Sequence, residues 1–343
     1  MEDADIVRPG NLAELRAGGK RGLAAALALI EEAPGGEAAM RLLEEAYAAP
    51  LGFVLGLTGP PGVGKSTLAS ALLRRWRDGG LRVGVIAVDP SSQRTGGALL
   101  GDRIRMRTDP ADNGVFVRSL AARGRLGGLA ELAFPAVILM RALFDRVMVE
   151  SVGVGQSEAE IANVTDRVVL CVQPGSGDAL QFMKAGIMEI PDIAVVTKAD
   201  TGAAARRALA DIKGALGLAT GDDIPCLAIS ASTGEGMDEL LAELARFPAA
   251  GAPERPLGEA LEPRPDAAAM DRALPPDADA TAMANRRHAQ AESWLRATIA
   301  HRFGEAGLNA AQAALTLPMG QAPFAAARAI AASIEVRYAP PGA

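Results

Sequence analysis

The chain has 343 residues, which corresponds to about two domains or to one elaborated domain with extensions, and it is long enough to bury a large core. Two cysteines and two histidines exclude a disulfide scaffold, a multi-cysteine metal cluster and a histidine-rich metal site. The net charge of −6 and the aromatic content of 3% argue against a nucleic-acid-binding protein, which needs a basic face and stacking platforms. The acidic first residues do not resemble a signal peptide, and no apolar stretch is long enough to span a bilayer. We therefore expect a cytoplasmic protein that binds neither membranes nor nucleic acid.

The apolar pattern predicts two helices over residues 11–49, separated by a Pro-Gly-Gly break at 34–36. From residue 53 onwards, short apolar runs separated mostly by helical segments or loops predict strands. These runs lie at residues 53–58, 83–88, 115–117, 147–149, 168–172, 193–196 and 226–229. Such an alternation is typical of a mostly parallel sheet covered by helices on both faces, which binds its ligand at the carboxyl ends of the strands.

The C-terminal part changes character. Residues 248–276 are rich in proline and predict an extended linker, and helices are expected at 283–303 and 323–336. The chain is therefore divided into an N-terminal helical extension (1–50), a core (51–247), a linker (248–280) and a C-terminal helical arm (281–343).

The most specific motif follows the first predicted strand. It consists of Gly59, Pro60, Pro61, Gly62, Val63, Gly64, Lys65, Ser66 and Thr67. It matches G-x-x-x-x-G-K-[ST] in a strand–loop–helix context, in which backbone N–H groups and a helix N-terminus face phosphate oxygens. Lys65 would supply positive charge to the β- and γ-phosphates, and Ser66 would supply a hydroxyl to Mg²⁺. The sequence thus predicts a P-loop NTPase.

Three carboxylates at or near predicted strand ends are candidate magnesium ligands together with Ser66: Asp89, Asp102 and Glu150. Asp102 could instead cap a helix that starts there. Gly153 would let the backbone approach the γ-phosphate. Gln156 is a candidate for orienting the attacking water, although a surface amide is the commoner explanation.

The segment Thr197-Lys198-Ala199-Asp200 ends another predicted strand. A carboxylate at Asp200 can accept hydrogen bonds from N1–H and the exocyclic amine of guanine, a donor pair that adenine lacks. The stem of Lys198 can lie along the base plane. Further along, a backbone N–H of the segment Ser230, Ala231 and Ser232 could donate to guanine O6. GTP and GDP are therefore the expected nucleotides, with Mg²⁺.

These motifs, in this order, resemble the MeaB/ArgK family, the GTPases that act as chaperones of methylmalonyl-CoA mutase. The resemblance extends over most of the chain and is carried by residues 59–67, 88–92, 96–106, 150–158 and 174–190, together with the terminal helices. It implies a P-loop GTPase core of the SIMIBI class that dimerises through its C-terminal helical arm. It also implies that GTP binding and hydrolysis gate adenosylcobalamin loading and protection of a B12-dependent acyl-CoA mutase.

In that framework Lys65, Asp102, Glu150 and Gln156 are the expected catalytic residues. Residues 89–106, 150–158 and 174–188 resemble three switch segments, and Arg105, Asp178 and Lys184 match positions that communicate with the partner.

The chain departs from the family at three places. The family usually has Asn where this chain has Thr197, and Thr where it has Ser151. Residues 118–135 differ from the family's sequence, and an apolar helix is expected at their end. Because no built-in arginine finger is evident, we expect slow intrinsic hydrolysis.

Three other functions are alternatives: a metallochaperone GTPase such as a nickel-insertion protein, a P-loop kinase, and a scaffold that retains GTP only for structure. The first needs a Cys/His site and the second an acceptor pocket with a base. Neither motif is visible in the sequence, and the intact nucleotide motifs argue against the third.

Overall fold

The computed structural model describes residues 8–90, 109, 111–122, 130–151, 160–175, 189–220, 224–246 and 277–338. Two N-terminal helices come first, α1 (Leu12–Glu32) and α2 (Glu37–Ala48). Asn11 caps α1, because Glu14 N donates to Asn11 Oδ1 at 2.9 Å, and the Glu14 carboxylate accepts from Gly10 N, just before the cap, at 2.7 Å. The Pro-Gly-Gly segment at 34–36 separates the two helices, as the sequence predicts.

Seven parallel strands form one sheet in the order β3-β2-β4-β1-β5-β6-β7. They are β1 (Phe53–Thr58), β2 (Val83–Pro90), β3 (Val115–Ala122), β4 (Arg146–Glu150), β5 (Arg167–Val172), β6 (Ile193–Val196) and β7 (Cys226–Ala228). Each predicted strand is confirmed, and β3 is longer than its apolar run because it pairs with β2 along its whole length. With β1 at the centre, the loop that follows it opens at the middle of the carboxyl edge.

Helices cover both faces of the sheet. In the described residues they are α3 (Lys65–Asp78), α4 (Ala130–Arg141), α5 (Ala203–Thr220), α6 (Met237–Ala245), α7 (Asp277–Ala311) and α8 (Pro323–Tyr338). Alternate strand residues belong to different cores: Leu55 and Leu57 pack with α3 and α6, whereas Val54 packs with α4 and the terminal helices. A third cluster joins α5 to β5 and β6. This period of two is what a sheet buried on both faces requires.

The apolar helix α4 lies under a second layer of helices. Its residues from Ala133 to Met140 are buried, because α4 contacts the sheet on one side and α1, α2 and α7 on the other. A helix that is buried all round is expected to be apolar all round. The apolar composition of the helix that ends at residue 141 is therefore explained by its burial in the core.

Helices α7 and α8 pack on this layer. Trp294 of α7 lies 5.7 Å from Phe134 of α4 and 4.9 Å from Phe324 of α8, measured between ring centroids. Helix α7 starts at Asp277, six residues before its predicted start at 283, and non-helical backbone at Gly304 divides it. The segment 248–276 lies outside the described residues.

Two adjacent arginines fix the first part of α7 to the amino edge of the sheet. Arg287 Nε and Nη2 donate to the two oxygens of Asp166 at 2.7 and 2.8 Å, and Val54 N donates to Asp166 Oδ2 at 2.8 Å. Arg286 Nη1 donates to Asp192 at 3.0 Å. The arm is thus bound to the core through ionic contacts as well as through apolar packing.

The predicted architecture, a central parallel sheet flanked by N-terminal helices and C-terminal helices, is confirmed. Within the described residues, no helix is both long and apolar enough to cross a bilayer.

Candidate functional site

The loop between β1 and α3 has the geometry of a phosphate cradle. Three of its glycines have positive φ: Gly59 (132°), Gly62 (76°) and Gly64 (107°), the last being the N-cap of α3. A Cβ at Gly59 would lie 2.1 Å from the backbone oxygen of Cys171 in β5. Only glycine fits there, and this close approach sets the angle at which the chain leaves the sheet.

Lys65 is the first residue of α3 and is buried, with 5% of its surface exposed. Its Nζ donates to the carbonyls of Gly59 at 2.6 Å and of Pro60 at 3.1 Å. These bonds hold the ammonium over its own loop, beside the N–H groups of the first helical turn. Positive charge and helix dipole therefore face the same space, which suits an anion.

Ser66 and Glu150 meet beside the loop. Ser66 Oγ donates to Glu150 Oε1 at 2.6 Å, and Glu150 is 5% exposed at the end of β4. The register pairs Glu150 with Leu57 of β1, so the carboxylate lies at the level where the loop begins. Because Ser66 directs its only proton to Glu150, the lone pairs of its oxygen remain for a cation. An oxygen donor set of this kind fits Mg²⁺.

Thr197 ties the segment after β6 to the phosphate loop. Its Oγ1 donates to Val63 O at 2.7 Å and also lies 3.1 Å from Val172 O, and the side chain is buried. The threonine thus contacts the loop directly in the position where Asn is usual.

Lys198 and Asp200 follow at the surface. Lys198 has left-handed backbone (φ 56°, ψ 44°), and its Nζ donates to Gln173 Oε1 at 2.6 Å. Asp200 lies in a short 3₁₀ turn, and its side chain is exposed. A ligand held by the loop could therefore reach this carboxylate.

The segment Ser230-Ala231-Ser232 lies next to this turn. Ala199 N donates to Ile229 O at 2.9 Å, which joins the two segments through the backbone. Ser230 is buried, and its Oγ lies 3.0 Å from Ser232 Oγ. The structure thus brings both predicted base-reading segments to the same edge of the sheet as the phosphate loop.

Several predicted residues lie outside the described part of the chain. They are Asp102, Arg105, Gly153, Gln156, Asp178 and Lys184. For Asp89 the structure describes only the backbone, at the second-to-last position of β2. Their predicted roles stay predictions. In the described residues no group of three or more His, Cys, Asp or Glu side chains could hold a metal ion.

Two features of the site were not predicted from the sequence. Gln173 follows β5 and binds Lys198, and the hydroxyls of Ser151 and Thr58 lie 3.2 Å apart at the start of the phosphate loop. Polar residues at the end of a predicted strand or just after it were the available signal for both, because all these strand ends meet at one edge.

Cys171 lies under the loop. Burial raises the pKa of its thiol to about 12, although Lys65 acts in the opposite direction. The thiol is therefore neutral at physiological pH and is not a nucleophile.

The parallel sheet, the cradle after its central strand and the Ser–Glu pair beside it define a P-loop NTPase. A solved structure described as a LAO/AO transport system kinase has the same fold, with a TM-score of 0.59 at 24% identity over 98% of this chain and 99% of that one. At this identity the likeness concerns the fold alone.

The family model for the methylmalonyl-CoA mutase-associated GTPase MeaB matches residues 23–253, and the chain belongs to this family. The GTPase ArgK of Escherichia coli is 41% identical over 203 residues, which are 57% of this chain and 61% of that protein. The mouse protein named methylmalonic aciduria type A homolog, mitochondrial, is 39% identical over 205 residues, 58% of this chain and 49% of that protein. A Pyrococcus abyssi protein that is provisionally named a GTPase is 48% identical over 190 residues, 54% of this chain and 57% of its own length.

The matched region thus spans about half to three-fifths of these relatives. Helices α7 and α8 lie beyond the residues that the family model matches.

Proposed function

We propose that the protein binds GTP and GDP with Mg²⁺, hydrolyses GTP, and acts as a chaperone of a B12-dependent acyl-CoA mutase. The observation that carries the nucleotide part is the joining of three motifs at one edge of the sheet. Thr197 contacts the phosphate loop, and Ser66 contacts Glu150. The motifs lie far apart in sequence, and their meeting is what a guanine-nucleotide site needs.

In this site the chain's own residues bind the nucleotide and orient it. Lys65 and the N–H groups of α3 neutralise phosphate charge, and Lys198 and Asp200 face the base. Ser66 and Glu150 would hold Mg²⁺, with Asp89 and Asp102 as further proposed ligands. When bound, the ion would stabilise charge on the β- and γ-phosphates. Gln156 is proposed to orient the attacking water. Gly153 is proposed to let the backbone approach the γ-phosphate and so respond to its hydrolysis.

Binding is tested by titrating a fluorescent GDP analogue into wild type and Lys65→Ala. We expect the variant to lose most of its affinity, because the loop loses its fixed positive charge. Asp200→Asn is the matched test of the base, because it should shift preference from guanine to xanthine nucleotides. Retained GTP affinity in Lys65→Ala would contradict the assignment of the loop.

The client is proposed to be methylmalonyl-CoA mutase, and the nucleotide cycle is proposed to gate adenosylcobalamin loading and to protect the loaded enzyme. Membership of a family described by its association with this mutase supports the proposal. The test measures GTP hydrolysis with and without purified mutase, and complex formation by gel filtration. We expect a slow intrinsic rate that the mutase increases. An unchanged rate of GTP hydrolysis together with no complex would refute the assignment of the mutase as the partner.

We also propose a cytoplasmic homodimer formed through α8. One face of α8 presents Ala325, Ala329, Ala332 and Val336 to the surface, and Val336 is 81% exposed. Light scattering should give twice the chain mass for wild type and the chain mass for Ala332→Glu. A monomeric wild type would refute the dimer.

A further inference from the structure

Gln173 stands where three parts of the site converge. It follows Val172, the last residue of β5, whose carbonyl accepts from Thr197 N at 2.8 Å. The backbone pairing of β5 with β6 therefore brings Gln173 and Lys198 to neighbouring positions at the carboxyl edge.

The backbone of Lys198 is held in an uncommon conformation. Among the described residues it is the only non-glycine residue with positive φ. Thr201 stabilises this turn, because its N and its Oγ1 donate to Lys198 O at 3.0 and 2.8 Å. For a residue with a Cβ this conformation costs about 1–2 kcal/mol, and such costs concentrate at functional sites.

The turn directs the lysine side chain across the mouth of the phosphate loop. Its Nζ lies 2.6 Å from Gln173 Oε1 and 3.5 Å from Gly62 O. Because an ammonium only donates, the amide oxygen must face it. The amide oxygen of Gln173 accepts from the ammonium and so fixes the direction of the lysine side chain.

We propose that Gln173 is a positioning residue for guanine-nucleotide binding, which acts by holding the stem of Lys198 across the loop before the nucleotide arrives. The inference rests on the proposed function. Without the amide the lysine would sample many rotamers, and nucleotide binding would have to order it.

The test compares Gln173→Met, Gln173→Glu, Lys198→Met and the double variant Gln173→Met/Lys198→Met. Methionine keeps the length of the side chain and removes the acceptor, whereas glutamate keeps the acceptor. For each variant the Kd of a fluorescent GDP analogue, the KM for GTP and the kcat are measured. Thermal unfolding checks folding, and Gln173→Ala replaces the methionine variant if that one does not fold.

We expect Gln173→Met to raise Kd and KM about tenfold, the loss typical of one hydrogen bond to a charged group, with kcat unchanged. Gln173→Glu should bind close to wild type. In the Lys198→Met background Gln173→Met should have no further effect, because the two residues act as one unit.

An unchanged Kd in Gln173→Met would overturn the inference, and so would additive losses in the double variant. If wild type binds guanine nucleotides and Gln173→Met binds them with the same Kd, this inference alone is refuted. A wild type that binds none refutes the proposed function as well.

Discussion

Arg287→Met tests whether the C-terminal arm is part of the folded core. Asp166 has no exposed surface, and it accepts three hydrogen bonds, two from Arg287 and one from Val54 N. The substitution removes the two from the guanidinium and leaves a buried carboxylate with its backbone donor and with Arg141 Nη1 at 3.6 Å.

Removing one partner of a buried ion pair costs about 3–5 kcal/mol. Because Arg141 still faces Asp166, we expect the lower end, about 3 kcal/mol of unfolding free energy. Arg302→Met is the matched control on the same helix. Its pair with Glu335 is about half exposed, so we expect a change within about 0.5 kcal/mol.

The assay is equilibrium urea unfolding followed by tryptophan fluorescence. The chain has two tryptophans, and Trp76 lies in α3 whereas Trp294 lies in α7. In the Trp76→Phe background the signal reports the arm, and in the Trp294→Phe background it reports the core. We expect Arg287→Met to shift both transitions to lower urea together. A loss of unfolding free energy no larger than that of Arg302→Met, or a shift confined to the arm, would show that the Arg287–Asp166 contact does not join the arm to the core.

Three further predictions concern the loop and the buried carboxylate. Gly59→Ala should abolish nucleotide binding, because its Cβ would lie 2.1 Å from Cys171 O. At Gly62 no atom lies within 4 Å of an added Cβ, so Gly62→Ala should cost only backbone strain, about 1–2 kcal/mol of unfolding free energy in urea. Equal losses of nucleotide affinity in the two variants would argue against the clash at Gly59. Thr197→Val should weaken GDP binding several-fold in titrations by removing the bond to Val63 O, and Thr197→Asn should retain it; a valine variant that binds like wild type would show that the bond is dispensable. Burial alone would raise the pKa of Asp166, but the hydrogen bonds and charge of Arg287 and the charge of Arg141 hold it below its ordinary 3.8. Its contribution to stability is therefore present above the unfolded-state pKa and is lost as pH falls. The stability difference between wild type and Asp166→Asn should be full at about pH 6 and shrink below about pH 4, and a constant difference would contradict the shift.

The sequence predicts well what is encoded locally. The loop at 59–66 carries its own context, a strand before it and a helix after it, and apolar runs bounded by turns predict all seven strands. The terminal helices follow from their periodicity in the same way. Strand ends are less predictable, because pairing decides them, as in β3.

Contacts between distant parts of the chain could not be predicted. Arg287 and Asp166 are 121 positions apart, and Gln173 and Lys198 are 25 apart. Each pair depends on how helices and strands are placed in three dimensions. The apolar α4 shows the same limit, because its composition is explained only by the helices that cover it.

The proposed guanine-selective nucleotide site depends on Lys65, Thr197 and Asp200. The most direct test is displacement of a bound fluorescent GDP analogue from wild-type protein by GTP and by ATP, with Mg²⁺ present. We expect GTP to displace the analogue at concentrations at least about 100-fold lower than ATP, because adenine lacks the donor pair that Asp200 accepts. Displacement by ATP and GTP at equal concentrations, or no binding of the analogue, would contradict it.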